Sequence, residues 1–302
     1  MSVVFNTNFS GLAGLGAALV SLLHHCSAPR ELRLYVLCTG LREEDKSSIR
    51  TTAATAGYPS EVVFIDYDAR QLFGHLRPLH GDYTTYGKSL IPSSIDDTHV
   101  LYLDTDLLVT LDVLQLTPHR SAEHPISAVS GATMRDALDT RFLVGTLGID
   151  ADRPYFNAGV LLFNVERYRN ERYAQRWEEL CRTHSEDFAV VDQTLFNAIA
   201  GGAIGLLPAH CNRPWTPGVE LSPAQRSGAI LHFIGSPKPW DFLGSRLHSA
   251  YSMWRSFTPD AWHAKYCIWT RTQVQRTWHI RRSILRHLLN SKRPTLATTI
   301  TR

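Results

Sequence analysis

Two carboxylates follow an apolar stretch of the chain, in the segment Val100-Leu-Tyr-Leu-Asp104-Thr-Asp106. The apolar run is typical of a buried central strand. Residues two apart on an extended chain face the same side, so Asp104 and Asp106 are predicted to point at one ligand. Neighbouring carboxylates at a buried strand end repel each other and need a cation or another partner. A hard divalent metal ion that also carries phosphate oxygens would satisfy both; the alternative is an ordinary polar turn after the strand.

The residues before this segment alternate between short apolar runs and helix-like patterns. This alternation favours an α/β fold with a mostly parallel central sheet and right-handed crossovers. In such sheets ligands bind beyond the carboxyl ends of the strands, where Asn6-Thr7-Asn8 and the two aspartates would both lie. The predicted elements are strands at 3–5, 32–38 and 62–65 and helices at 12–25, 43–56 and 83–91.

The second half of the chain predicts fewer regular elements. The region that follows the aspartates, up to Pro154, is interpreted as rich in loops. A strand is predicted over 156–164, followed by helices over 169–184 and 188–200, the second of which is stopped by two glycines. A last strand over 230–234 leads into a turn with the sequence Gly-Ser-Pro-Lys-Pro-Trp.

Four motifs occur along the chain in a recognisable order. They are Leu101-Tyr-Leu-Asp104-Thr-Asp106, Tyr155-Phe-Asn157-Ala-Gly159-Val-Leu-Leu-Phe-Asn164, Asp192-Gln193-Thr-Leu-Phe-Asn197 and His232-Phe-Ile-Gly235-Ser-Pro-Lys238-Pro-Trp240. Together they resemble the retaining glycosyltransferases of family 8, which include glycogenin and bacterial lipopolysaccharide galactosyltransferases. The likeness covers about residues 3–240. It implies a GT-A-type, Rossmann-like nucleotide-sugar-binding domain and a UDP-sugar as the donor substrate.

The resemblance also implies a metal site made by Asp104, Asp106 and His232. Carboxylates suit magnesium or manganese, and an added imidazole favours manganese, so Mn²⁺ is expected and Mg²⁺ is the alternative ion. Thr105, between the aspartates, is expected to contact the nucleotide sugar with them. The alternative for His232 is a core histidine at the end of a strand.

The diphosphate of the donor needs positive charge both to bind and to leave. By resemblance, Lys238 contacts the diphosphate, and Lys88 stands where the family places another cation with the same role. Gly235 would let the backbone approach the phosphates. The alternatives are a solvated lysine in an exposed proline turn for Lys238 and an ordinary surface lysine for Lys88.

Three polar residues are expected around the transferred sugar. By resemblance, Gln193 lies beneath the anomeric carbon, where its amide oxygen could stabilise positive charge, and Asp192 and Asn157 hold sugar hydroxyls. The alternative is that Asp192 and Gln193 are ordinary polar residues at a helix start. Thr7 and Asn8, after the first strand, are expected to bind the uridine.

Two positions depart from the family pattern. The family usually has acidic residues near the uridine, whereas this chain has the neutral Asn8, which loses the charge assistance to a hydrogen bond. The family also places an acid near the sugar where this chain has Gly131, and Asp136 is a candidate to compensate for it. These differences bear on donor and acceptor preference.

The charge of the chain is unevenly distributed. The 302 residues carry a net charge of +3, but nine Lys or Arg residues and no acid follow Asp260, so residues 1–260 carry −6. We therefore predict a catalytic domain over 1–260 and a basic extension over 261–302. Its apolar residues fall largely on one side of a helix, a pattern typical of anionic membrane surfaces. They are Trp262, Tyr266, Trp269, Val274, Trp278, Ile284, Leu285, Leu288 and Leu289 within residues 262–293.

That extension has two other interpretations. It could be a helix that packs on the catalytic domain and exposes a solvated basic face. Nucleic-acid binding is less favoured, because no groove-reading motif accompanies the charge.

The remaining composition indicates the compartment. Five scattered cysteines lack the paired spacing of zinc or redox motifs, which predicts a reduced compartment and no disulfide scaffold. The apolar stretch at 11–23 lacks a basic leader, and no apolar run reaches transmembrane length. A cytoplasmic protein at the inner face of a membrane is therefore expected.

The sequence thus predicts a metal-dependent retaining hexosyltransferase. It would move glucose or galactose from a UDP-sugar to a saccharide or glycolipid acceptor during synthesis of lipopolysaccharide or another surface glycan. The alternative, motivated by the neutral residues Asn8 and Gly131, is a sugar-nucleotide-binding regulatory protein with impaired turnover.

Overall fold

Ten strands build two sheets in the computed structural model, which describes residues 1–268 and 270–291. In chain order they are β1 Ser2–Thr7, β2 Arg33–Cys38, β3 Val63–Asp66, β4 His99–Leu103, β5 Leu107–Val109, β6 Ile126–Thr133, β7 Pro154–Asn164, β8 Gly205–Leu206, β9 Arg213–Pro214 and β10 Ile230–His232. The large sheet has the order β3-β2-β1-β4-β7-β6-β8, and the small one has the order β5-β10-β9. Only β7 runs antiparallel to its neighbours in the large sheet. The predicted α/β fold with a mostly parallel central sheet is therefore confirmed.

Helices cover both faces of the large sheet. They are α1 Leu12–His25, α2 Glu43–Thr55, α3 Ala69–Phe73, α4 Ile91–Ser94, α5 Val165–Asn170, α6 Tyr173–His184, α7 Val191–Ala200, α8 Pro223–Arg226, α9 Gly244–Leu247, α10 Tyr251–Phe257, α11 Asp260–Tyr266 and α12 Arg271–Ser291. Alternate residues of β1 enter the two cores: Val3 and Phe5 pack with α1 and α2, whereas Val4 packs with α6 and α7. This is the two-sided burial expected of a central parallel strand.

Two predicted helices differ in detail from those observed. The segment predicted as a helix over 83–91 is a 3₁₀ segment, Thr84–Leu90, followed by the short α4. The helix predicted over 169–184 is two helices, because Arg172 adopts a left-handed conformation, with φ of +57°, between α5 and α6.

The strand register brings three chain segments to one edge of the large sheet. Phe5 of β1 pairs with Leu103 of β4 in parallel, so the residues that follow both strands emerge side by side. Leu103 also pairs with Val160 of the antiparallel β7, and the Asp104 N–H donates to the Gly159 carbonyl at 2.9 Å. The motif around Gly159 therefore lies directly beside the first aspartate.

The extended conformation assumed for the chain between Asp104 and Asp106 is not observed. The chain bends at residues 104–106, and β5 then joins the small sheet, where Leu107 pairs with His232 of β10. The two carboxylates converge because the chain bends between the two sheets. The two-residue alternation of side chains along an extended strand does not bring them together.

The prediction of a loop-rich region up to Pro154 is wrong for Ile126–Thr133, which forms β6. Serine and glycine interrupt this segment, so its local strand propensity is weak. Long-range pairing with β7 decides its conformation, and the pairing is irregular around Ser130.

The chain after Asp260 continues the packing of the domain. Trp262 is buried in the core beneath α1, and its indole N–H donates to the Leu12 carbonyl at 2.8 Å. A side chain at Gly16 would place its Cβ 2.5 Å from that indole, so α1 must have a glycine there. Tyr266 is also buried. These two residues were predicted to face a membrane, and their burial corrects that prediction.

The long helix α12 packs on the segment that follows β10. Ile280 and Ile284 contact Leu247 there. Trp269, Lys292 and Arg293, part of the predicted extension, lie outside the described residues. No helix within the described part of the chain is long and apolar enough to span a membrane.

Candidate functional site

Asp104, Asp106 and His232 meet at the junction of the two sheets. Asp104 follows β4 in the large sheet, Asp106 precedes β5, and His232 ends β10. Ligand atoms of the three side chains all lie within 4.8 Å of one another. The His232 Nε2 is 3.3 Å from Asp106 Oδ1 and 3.9 Å from Asp104 Oδ2. The structure therefore brings together the triad that the sequence predicts.

This donor set fits a divalent cation. Two carboxylates and one imidazole offer the mixed oxygen and nitrogen ligands that manganese and related ions accept. Space beside the triad depends on Gly159, because a Cβ there would lie 2.3 Å from His232 Cε1 and 2.9 Å from Asp104 Oδ2. Burial acts to raise the pKa of Asp106, but Lys238 and His232 outweigh it and hold that pKa well below its usual range. The Asp106 carboxyl is therefore an anion.

Lys238 lies beside the triad, where it can supply charge to a bound anion. Its Nζ is 2.7 Å from Asp106 Oδ2, and it also donates to the Phe233 carbonyl. The preceding Gly235 has φ of +82°, so the turn itself requires glycine. Lys238 therefore lies next to Asp106, and its contact with a diphosphate stays a prediction.

Lys88 is buried beside the two aspartates Asp104 and Asp192. Its side chain is 2% exposed, which excludes a surface lysine, and its Nζ lies 3.3 Å from Asp104 and 2.8 Å from Asp192. A third contact of 3.0 Å goes to the Ala158 carbonyl. Burial acts to lower the pKa of Lys88, but the two carboxylates raise it above the ordinary value. All three N–H groups are engaged, so Lys88 links the aspartates and a diphosphate contact would require one of these bonds to open.

Three polar side chains lie near one another next to the triad: Asp192, Gln193 and Asn157. Asp192 lies in the first turn of α7, and it accepts a hydrogen bond from Thr85 at 2.5 Å. The Gln193 Oε1 accepts a hydrogen bond from Asn157 Nδ2 at 2.8 Å. The helix-start interpretation of these residues is incomplete, because their side chains bond to other segments of the site.

A cleft of about 290 Å³ opens at the two aspartates of the triad, and a second one of about 540 Å³ shares part of its lining. The first is lined by Thr105, both aspartates and Lys238 on one side. Its other side is formed by the C-terminal helices, through Tyr266 and Arg276. Arg276 lines both clefts, and its guanidinium binds the buried Asp241 carboxylate at 2.5 and 2.8 Å. Asp241 also accepts the Lys238 N–H at 2.7 Å, so α12 is tied to the loop that carries Lys238.

The residues predicted to bind uridine are both engaged locally. The Thr7 side chain is buried and its hydroxyl donates to the Asn8 carbonyl at 2.9 Å, and its contact with uridine stays a prediction. The Asn8 side chain caps the following turn through Ser10, and its amide donates to Asp82 at 2.5 Å. Asn8 and Asp82 both line the second cleft, so a carboxylate is present beside the neutral residue.

Asp136 does not compensate for the missing acid at Gly131. Its carboxylate is exposed and accepts the Thr133 hydroxyl at 2.8 Å in a capping box, and this hydrogen bond lowers its pKa. The buried acid of this region is Asp139, whose Oδ1 lies 3.4 Å from the Tyr155 hydroxyl.

The sequence analysis missed four residues of the site: Asp82, Asn212, Asp241 and Arg276. Asn212 accepts a hydrogen bond from the ring of His232 at 2.9 Å, and the other three line or support the clefts. They belong to segments with no motif of their own, and their partners are distant in sequence. Only the basic residues of α12 gave a signal, which pointed to a membrane.

Comparisons with known proteins agree with this geometry. The sequence model described as "Glycosyl transferase family 8" matches residues 2–244. General stress protein A of Bacillus subtilis is 28% identical over 244 residues, which are 75% of this chain and 82% of that protein. The lipopolysaccharide 1,3-galactosyltransferase of Salmonella typhimurium is 23% identical over 260 residues, 83% of this chain and 76% of that protein.

Solved structures share the fold. The galactosyltransferase LgtC, in complex with donor and acceptor sugar analogues, superposes with a TM-score of 0.70 at 23% identity, covering 88% of this chain and all of LgtC. The glycosyltransferase GlyE of Streptococcus pneumoniae gives a TM-score of 0.61 at 22% identity, covering 93% of this chain and 63% of GlyE. The resemblance noted in the four motifs is therefore confirmed: the chain belongs to glycosyl transferase family 8 and is a glycosyltransferase with a GT-A-like fold.

Proposed function

We propose that this enzyme transfers glucose or galactose from a UDP-sugar to a saccharide acceptor with retention of the anomeric configuration. The observation that carries the proposal is the convergence of Asp104, Asp106 and His232 with Lys238 at the mouth of a cleft. Three ligands for a cation and one adjacent ammonium group suit a diphosphate, which needs neutralisation to bind and to depart.

The triad would hold Mn²⁺, with Mg²⁺ as the alternative ion. When bound, the cation would neutralise charge on the diphosphate. Lys238 is free to exchange its bond with Asp106 for one with a phosphate oxygen, because the ammonium group rotates about a flexible stem.

Retention needs either a nucleophile on the far face of the sugar or front-side departure, in which the leaving phosphate assists the attack. Asp192, a carboxylate next to the metal triad, is paired with Lys88 and Thr85. Both of its oxygens are engaged by these partners, which disfavours Asp192 as a nucleophile and supports front-side departure. Gln193 and Asn157 present amide groups that suit sugar hydroxyls and a developing positive charge.

The base of the donor would occupy the second cleft. Uracil offers an N–H donor, and the Asp82 carboxylate held by Asn8 is a matching acceptor. This placement favours a working donor site over a regulatory protein that has lost turnover, because the acid absent at position 8 is replaced by a neighbour.

An assay of UDP release tests the proposed reaction. The purified chain is incubated with UDP-glucose or UDP-galactose and Mn²⁺, with and without oligosaccharide acceptors. We expect UDP release that rises with acceptor and falls at least 100-fold in Asp106→Asn, since one removed charge-stabilising contact costs about 2.7–4 kcal/mol. Donor binding without release in the parent would favour the regulatory alternative, and equal rates in the parent and the variant would reject the metal assignment.

The acceptor is proposed to be a lipopolysaccharide or another surface glycan, met at an anionic membrane surface. The Salmonella relative acts in this class, as its name states. On α12, Val274, Trp278, Leu285 and Leu289 are spaced by four, seven and four residues, so they share one side. All four are exposed, by 66% for Trp278 and Leu289. Exposed arginines lie alongside and provide charge complementary to anionic lipid.

Vesicle binding tests this surface with the full chain. Trp278→Gln combined with Leu285→Gln should weaken binding to vesicles that contain an anionic phospholipid, because both buried apolar area and nearby arginines contribute. Leu138→Gln, which replaces another exposed leucine, is the control. Unchanged vesicle binding in the double variant would reject the membrane proposal.

A further inference from the structure

A line of side-chain hydrogen bonds runs from the metal triad to the residue expected beneath the sugar. The ring of His232 bonds through Nδ1 to Asn212 Oδ1 at 2.9 Å. The Asn212 Nδ2 donates to Asn157 Oδ1 at 3.0 Å, and Asn157 Nδ2 donates to Gln193 Oε1 at 2.8 Å. Gln193 Nε2 then donates to the Tyr155 hydroxyl at 2.8 Å. Five side chains from four segments thus form one continuous relay.

Two backbone groups fix the direction of every bond in this relay. Amide oxygens and nitrogens look alike, so their placement must follow from unambiguous donors. The Gly159 N–H donates to Asn157 Oδ1 at 3.0 Å, and the Ala158 N–H points to Gln193 Oε1 at 3.4 Å. Both atoms must therefore be oxygens, which leaves the Asn157 nitrogen for Gln193 and requires Asn212 to present its own nitrogen to Asn157.

The same reasoning assigns the proton on His232. Because the Asn212 nitrogen is used by Asn157, its oxygen faces the imidazole, and an oxygen can only accept from Nδ1–H. With the hydrogen bond to Asn212 placed on Nδ1, Nε2 is the nitrogen that would ligate a cation, and it is the one that faces Asp106 at 3.3 Å. Both Asn212 and His232 are 5% exposed, so water has little access to this bond.

We propose that Asn212 is a positioning residue with two separable roles, an inference that rests on the proposed function for its second role. Its oxygen holds His232 with the proton on Nδ1, which prepares Nε2 as a ligand. Its nitrogen holds Asn157, and through it the amide of Gln193. Ligating histidines commonly depend on such a partner for their orientation, and loss of the partner costs about 10–100-fold in metal affinity or activity.

Two substitutions separate the roles. Asn212→Asp keeps an oxygen for Nδ1–H but removes the donor to Asn157. Asn212→Leu removes both the oxygen and the donor and leaves a side chain of similar volume. Asn197→Leu is the control for the first role, because Asn197 is a buried amide whose hydrogen bonds go to the backbones of Phe156 and Gln193 and not to the side chains of His232 or Asn212.

The primary measurement is ¹⁵N NMR of the histidine rings in the metal-free protein. We expect Nδ1 of His232 to carry a proton in the parent, in Asn212→Asp and in Asn197→Leu, and to lose it in Asn212→Leu. Mn²⁺ affinity should fall about 10–100-fold in Asn212→Leu and stay close to that of the parent in Asn212→Asp. A retained Nδ1 proton or an unchanged affinity in Asn212→Leu would overturn the first role.

Turnover tests the second role. In Asn212→Asp we expect kcat for sugar transfer to fall by about tenfold or more while Mn²⁺ affinity is retained, since two facing carbonyl-type oxygens would displace Asn157. An unchanged kcat would overturn this role. If the parent transfers no sugar, the proposed function fails, whereas the NMR and Mn²⁺ measurements still decide the first role. If Asn212→Leu does not fold, loss of the Nδ1 proton in Asn212→Asp would overturn the first role.

Discussion

A single methyl group at Gly159 should disable the metal site without unfolding the protein. Gly159 lies in β7 beside the triad, and its Cβ would be 2.3 Å from His232 Cε1, 2.8 Å from His232 Nδ1 and 2.9 Å from Asp104 Oδ2. Carbon atoms pack at about 3.5–4.0 Å, so Gly159→Ala requires the ring or the carboxylate to move by about 1 Å. Metal ligands tolerate about 0.2 Å.

The size of the loss in Mn²⁺ affinity depends on how far the neighbours of Gly159 can move. His232 is buried against Asn212, so its ring has little room to retreat, and Asp104 is tied to Lys88. We expect Mn²⁺ affinity to fall by about 100-fold or more, equivalent to about 2.8 kcal/mol, the upper end of what loss of a supporting partner costs. Overpacking a strand residue should lower the free energy of unfolding by about 1–3 kcal/mol.

The assay compares Gly159→Ala with Gly131→Ala by Mn²⁺ titration and urea unfolding. Gly131 lies in the neighbouring strand β6, and its Cβ would meet no heavy atom within 4 Å. The control should bind Mn²⁺ like the parent and keep its unfolding midpoint. If folded Gly159→Ala binds Mn²⁺ within threefold of the parent, the triad as described here does not hold the ion.

Two further predictions concern the supports of the site. Arg276→Gln should lower the free energy of unfolding by about 2 kcal/mol, because it leaves the buried Asp241 carboxylate without its partner, and it should raise the Kd for UDP. Adding Asp241→Asn should restore part of the free energy of unfolding, as measured by urea unfolding. His248 is buried, and desolvation lowers its pKa to about 4 from an ordinary 6.5. Because the folded-state pKa is depressed, stability should fall as the pH drops from about 6.5 towards 4, by up to about 3 kcal/mol, and the thermal midpoint of His248→Asn should lose less over that range.

Local patterns predicted the parts of the fold whose conformation is decided locally. β1, β2, β3, β4 and β7 have apolar runs long enough to identify, and the carboxyl ends of the first four identify the edge where the site lies. β6 was missed because serine and glycine weaken its propensity, and it forms through pairing with β7. The strand predicted over 230–234 is confirmed as β10, but the small sheet that it forms was missed, because its partners β5 and β9 have only three and two residues.

The residues of the site that belong to the four motifs could be predicted. The residues that hold them in place could not. Asp104, Asp106, His232 and Lys238 were found by type and order. Lys88 was found, but its burial between two aspartates was not, because nothing local in the sequence distinguishes a buried lysine from a solvated one. Pairs such as Arg276 with Asp241 join segments 35 positions apart, and only the packed structure reveals them.

The junction between the two sheets explains why charge is concentrated there. Asp104 belongs to the edge of the large sheet, whereas Asp106 and His232 belong to the small one, so carboxylates from separate packing units are forced together. The buried Lys88 balances the charge of Asp104. Lys238, which has a flexible side chain at the cleft, balances the charge of Asp106. The second lysine can exchange its partner for a ligand more readily than the first, since Lys88 is buried with all three N–H groups engaged. We therefore expect Lys88 to balance charge within the protein and Lys238 to respond to a ligand, although both are lysines beside an aspartate.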